Sequence, residues 1–195
     1  MATYASIKYD MDLSSSATGA GGMTLLSTQT ASSDSTITFA SGIDSTYKEY
    51  IFKYYDIHPS AGVRLAVNFR DGSTAYDATK TSTFFEAYQN EAGTSTSLAY
   101  VTDYDLAQST AVQSIGYIGN ENDESCAGTL HLYDPSSTTF VKHYIATTPG
   151  YHGSNLALTS YVAGYCNVTA AIDGVQFSMT SGNIDSGTFK MYGVS

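Results

Sequence analysis

The chain has 195 residues, a formal net charge of −10 and only 13% charged residues, about half the share of roughly 25% in ordinary soluble domains. Its eight Lys and Arg are scattered singly among 18 acids, so no basic patch offers itself to nucleic acid or to an anionic membrane surface. No apolar run approaches the roughly 20 residues of a spanning helix, and polarity comes mainly from Ser, Thr and 17 Tyr, with no Trp.

The first ten residues lack a basic start followed by an apolar stretch, so no secretory signal peptide is expected. Leu13–Gly22 and Thr30–Thr36 are poor in bulky residues and rich in Gly and Ser, and residues 1–35 read as an extended N-terminal arm. A segment of this composition is ordered only where something ties it down, so the arm is expected to dock on a neighbouring subunit or surface. Gly19-Ala-Gly-Gly22 lacks the Lys-Ser/Thr ending of a phosphate loop and reads as a connector.

From Thr36 onward, short β-branched and aromatic runs alternate with Gly, Pro, Asp, Asn and Ser clusters, which is an all-β pattern. Strands are predicted at Thr36–Ala40, Lys48–Ile57, Gly62–Arg70, Ser82–Tyr88, Val112–Ile118, Gly128–Tyr133, Thr139–Ala146, Ser160–Cys166, Val175–Thr180 and Thr188–Val194. In Gly62–Arg70, Val63, Leu65, Val67 and Phe69 alternate with Arg64, Asn68 and Arg70, predicting one face inward and one toward water. Lys48–Ile57 is aromatic at both parities, as a strand covered on both faces would be. Arg70-Asp-Gly-Ser73, Tyr133-Asp-Pro-Ser136 and Ser181-Gly-Asn183 supply turn residues. Residues 89–110 and 147–158 read as long connections leaving the sheets. The prediction is one domain over residues 36–195, an antiparallel β-sandwich of about ten strands.

Residue types that carry chemistry are present without supporting spacing. Cys126 and Cys166 are too few for a disulfide framework and read as buried thiols. None of His58, His131, His143 and His152 has a visible catalytic partner, and no Ser lies in a Gly-x-Ser-x-Gly elbow. His131 and His143 could come to adjacent strands as a metal pair, but a third ligand is lacking. Asp10-Met-Asp12, Asp103-Tyr-Asp105 and Glu121-Asn-Asp-Glu124 are acid clusters without EF-hand spacing, Glu121–Glu124 being the best calcium candidate. Glu49, Asp56 and Glu86 are hydrolase acids by elimination only. No catalytic, cofactor-binding or metal-binding residue is therefore assigned, and no enzymatic activity is expected. The Tyr content suits subunit contacts, or a sugar-binding surface on loops 89–110 and 147–155.

Three stretches carry a resemblance: Gly22–Thr30 leading into Thr36–Tyr47, then Ser136-Ser-Thr-Thr-Phe-Val-Lys-His143, and the closing Ser181-Gly-Asn-Ile-Asp-Ser-Gly-Thr-Phe-Lys-Met-Tyr-Gly-Val194. They resemble virion structural proteins of marine tailed phages, cyanophage-like ones in particular. That resemblance implies a jelly-roll-like sandwich without catalytic residues, placed on the virion surface as a capsid decoration or cement-type protein. Its implied partners are copies of itself, with a trimer expected by analogy, and other virion proteins such as the major capsid or tail protein. The alternative is a tail or fibre receptor-binding module recognising host surface polysaccharide.

Overall fold

The strand-forming runs fold in the computed structural model as twelve antiparallel strands, and the structure describes residues 22–195. Residues 1–21 of the expected arm, with the acid cluster Asp10-Met-Asp12 and most of the Gly19–Gly22 connector, lie outside the described residues. In chain order the strands are β1 (Met23–Asp34), β2 (Thr36–Phe39), β3 (Glu49–Pro59), β4 (Val63–Arg70), β5 (Lys80–Asn90), β6 (Thr96–Tyr100), β7 (Gln113–Ile118), β8 (Cys126–Tyr133), β9 (Lys142–His152), β10 (Leu156–Cys166), β11 (Gly174–Met179) and β12 (Ile184–Val194).

They form an eight-stranded sheet in the order β1-β12-β3-β8-β9-β10-β5-β6 and a four-stranded sheet in the order β2-β11-β4-β7. After β1 the chain passes repeatedly between them: β2 small, β3 large, β4 small, β5 and β6 large, β7 small, β8 to β10 large, β11 small, β12 large. That alternation is the jelly-roll-like sandwich expected from the sequence.

Twelve strands replace the predicted ten because two edge strands were not read. β1 takes up Met23–Asp34 of the expected arm and pairs with β12 from Met23↔Val194 to Asp34↔Ile184. β6 pairs with β5. Both are mostly exposed, and a strand with little to bury shows no clear alternation of apolar and polar residues. The expected excursion at 147–158 is instead the β9–β10 hairpin, paired from Leu156↔His152 to Cys166↔Lys142. The 89–110 connection likewise contains the end of β5 and all of β6.

The core is aromatic where the sheets face each other. Phe39 and Phe177 of the small sheet meet Phe52 of the large sheet edge-on, and Phe177 packs on Phe189 with ring centroids 5.0 Å apart. In β3, Tyr50, Phe52 and Tyr54 point inward, while Lys53 and Tyr55 on the other parity are partly or fully exposed. Its second face is thus open at Lys53 and Tyr55 rather than covered, although Ile51 on it is buried. The outward face of β4 departs from expectation in the opposite sense. Asn68 is 6% exposed, because residues 101–112 lie over it, with Asn68 Nδ2 donating to Thr110 O and Arg64 resting 3.6 Å from the Tyr104 ring centre.

Two glycines let large rings cross the sheet. A Cβ on Gly128 would lie 2.6 Å from the Tyr54 ring, and one on Gly164 would lie 2.7 Å from Tyr144. Each ring occupies the place where its cross-strand partner's side chain would stand, an aromatic-over-glycine pairing that pins register.

Candidate functional site

Because side chains alternate along a strand, register fixes which residues the large sheet turns away from the core. Phe85 pairs across strands with Tyr100 on one side and Tyr161 on the other. The Phe85 and Tyr161 rings stack with centroids 5.0 Å apart and an interplanar angle of 15°. Leu98, Tyr100, Phe85, Tyr161 and Ile145 are exposed on this face, Leu98 by 73% and Tyr100 by 52%. None of the side chains directed outward by β8, β9, β10, β5 and β6 belongs to Lys, Arg, Asp or Glu. Charge appears on the other half, where Lys53 lies 5.8 Å above the Tyr192 ring and Lys190 6.0 Å above the Tyr55 ring.

At one end of the same face the strands splay into an open groove of about 620 Å³. Its floor is Cys126, Ala127, Pro149, Gly150 and Ala157, and its rim is Asp56, Gln89, Asn90, Glu91, Ser125 and Tyr151. A bulge between Tyr54 and Ile57, with Asp56 at φ 53°, returns Ile57 to the core and leaves Asp56 on the rim. The Tyr151 hydroxyl donates to Glu91 Oε1 at 3.1 Å and to Asn155 Oδ1 at 3.2 Å, which fixes the ring at the groove wall. The groove joins the ends of the two segments read from sequence as Tyr-rich loops, residues 89–91 and 149–151.

The residues considered for chemistry are dispersed and mostly committed to structure. Glu86 points between the sheets, where Arg64 donates to both its oxygens at 2.6 and 3.2 Å and Ser160 Oγ donates to Oε1 at 2.7 Å. Glu49 lies on the outer face, with Oε1 2.6 Å from His131 Nδ1. The three acids singled out by elimination are therefore not brought together. His131 pairs with Ile145, so His143 lies two positions along β9, beside Tyr165. His58 Nδ1 bonds the Glu124 carbonyl at 2.7 Å, and His152 stacks on Tyr117 at 4.1 Å.

Glu124 is buried and its carboxylate accepts the Glu121 N–H at 2.7 Å, so the best calcium candidate folds inward to close its own loop. Among the described residues, no three His, Cys, Asp or Glu are grouped so as to hold a metal ion. Cys126 and Cys166 are free and buried, and burial pushes the Cys166 thiol up to about 12.

Sequence reading missed two buried ammonium groups. Lys80 donates to Asn68 Oδ1 at 2.5 Å and Ala78 O at 2.7 Å. Lys142 donates to Ser137 O, Phe140 O and Val168 O at 3.1, 3.3 and 2.7 Å. They flank Cys166 from the two neighbouring strands. Both serve as staples for loop carbonyls; a lone Lys opening a strand gave no signal of this.

No protein-family model and no curated protein matches the chain.

Proposed function

We propose that this chain is a non-enzymatic structural protein of a phage particle, held at the particle surface as a capsid decoration or cement-type protein. The observation that carries the reading is the uncovered outer face of the large sheet, whose aromatic and aliphatic side chains carry no charge over five strands. Monomeric soluble proteins seldom leave such a patch without a partner, and aromatic enrichment with charge depletion is the composition of interface cores. The likeness of Ser181–Val194 and the two earlier stretches to virion proteins names the kind of assembly. The sandwich, with two sheets closed over one aromatic core, suits a load-bearing role. The partners in this reading are other copies of the chain and a major capsid or tail protein. The test is co-sedimentation with purified particles stripped of this protein: saturable rebinding supports the reading, and no rebinding by folded protein contradicts it.

A second reading is favoured by the groove. Its small-residue floor and amide, carboxylate and phenol rim suit the apolar face and hydroxyls of a sugar ring, as a receptor-binding module would require. A glycan array decides this reading, with binding lost in Gln89→Ala supporting it and no binding to any glycan removing it.

A further inference from the structure

We infer that the uncharged half of the outer sheet face, centred on the Phe85–Tyr161 stack, is occupied by a second copy of this chain. The inference rests on the structural reading only in treating this face as a contact surface, and adds which partner covers it. Three observations favour the chain's own copy over a partner of different chemistry.

The first is charge. Each copy carries −10, so bringing two together is opposed wherever acids face each other. The side chains that β8, β9, β10, β5 and β6 turn outward include His131 and His143 but no Lys, Arg, Asp or Glu. A basic partner would find carboxylates only at the margin of this area, at Asp56, Glu91 and Glu49, whereas a second copy brings no carboxylate against its middle. The second is area. Five strands about 4.8 Å apart and about 30 Å long make on the order of 700 Å² of sheet plane, close to the roughly 800 Å² per partner of a standard interface. The third is shape. The Phe85 and Tyr161 rings stack on each other, parallel to within 15°; beside them stand the small side chains Thr83, Ala87, Thr147, Thr159 and Ala163 and the larger exposed Leu98, Tyr100 and Ile145. The face therefore presents a prepacked aromatic pair and exposed Leu98, Tyr100 and Ile145 beside shallow positions, so that it offers a second copy both protruding rings and places to seat them.

The contact is tested by sedimentation of the full chain at micromolar concentration, comparing wild type with Phe85→Glu/Tyr161→Glu. The expected result is a wild-type mass of two or three times 20.7 kDa and a variant mass of 20.7 kDa with an unchanged circular dichroism spectrum. Should that variant fail to fold, Ile145→Lys on the same face gives the same readout. A wild type that sediments as a single chain at every concentration overturns the inference, as does an oligomer that survives both variants. Failure here is distinguishable from failure of the functional reading: a single-chain wild type that still rebinds stripped particles shows the face covered by another virion protein.

Discussion

Arg64 of the small sheet and Glu86 of the large sheet form a two-point ion pair, Nη1 to Oε1 at 2.6 Å, with only 11% and 13% of their side chains exposed. The Tyr104 ring lies 3.6 Å from the guanidinium and Ser160 adds a hydroxyl bond to Glu86. The pair ties β4 to β5 at the point where residues 101–112 fold over the small sheet.

Removing one partner leaves the other charge buried and unpaired, which costs about 3–5 kcal/mol. Arg64→Leu or Glu86→Leu alone is expected to lose about that much stability in urea denaturation. Arg64→Leu with Glu86→Leu is expected to lose clearly less than the sum of the two. Additive losses would mean that the two groups are not coupled.

The Tyr54 hydroxyl and Thr148 Oγ1 lie 2.5 Å apart, and the Tyr54 ring reaches across β8 over Gly128. Gly128→Ala is expected to cost about 1–3 kcal/mol through overpacking, seen as a fall in Tm of roughly 2–4 °C per kcal/mol for a chain of this size. Tyr54→Phe, which keeps the ring but leaves the buried Thr148 hydroxyl unpartnered, is expected to cost about 1–2 kcal/mol. A Gly128→Ala protein as stable as wild type would contradict the crossing.

Burial lowers the Lys80 ammonium to about 8. The folded chain therefore releases this proton near pH 8, whereas the unfolded chain holds it until about 10.5. Between those values the unfolded state binds more protons, so the Lys80 contribution to stability rises with pH. Cys166 opposes this above about pH 9, because its thiol ionises first in the unfolded chain. The clean readout is the difference between wild type and Lys80→Met: the wild-type urea midpoint is expected to gain on the variant between pH 8 and pH 10. A constant difference over that range would contradict a buried Lys80 ammonium.

Lys142 holds three carbonyls, two of them in the 134–141 turn and one at Val168. Lys142→Met is expected to lose about 2 kcal/mol, the scale of hydrogen bonds to a charged group. It should also open residues 134–141 to limited proteolysis, as loss of anchored backbone does. Unchanged cleavage would place the stiffness of this turn elsewhere.

Much of this fold was legible because period-two patterning survives wherever one face is buried. Val63, Leu65, Val67 and Phe69 mark β4 outright, and the Gly- and Pro-containing turns divide the chain correctly. Parity, however, says nothing about what covers the other face. Arg64 and Asn68 read as solvent-facing because the segment that covers them, residues 101–112, lies far along the chain. The reverse error came at β3, where the aromatic residues at both parities suggest a second covered face, yet Tyr55 on that face is exposed.

The proposed contact face was hidden for a related reason. Phe84-Phe85 shows that both faces of β5 carry rings, but the stack with Tyr161 exists only through the β5–β10 register. β1 and β6 offered too little burial to pattern at all. The groove is partly visible in the sequence, since residues 89–110 and 147–155 stand out for their tyrosines, although its wall is built from strand ends and not from free loops.

The proposed placement of this protein on a phage particle is tested most directly by electron microscopy of purified virions with gold-labelled antibody against the chain. The account predicts regular labelling of the particle surface, over the capsid for a decoration protein or at the tail for the receptor-binding alternative. Intact virions that carry no label, and that lack the chain by mass spectrometry, would contradict it.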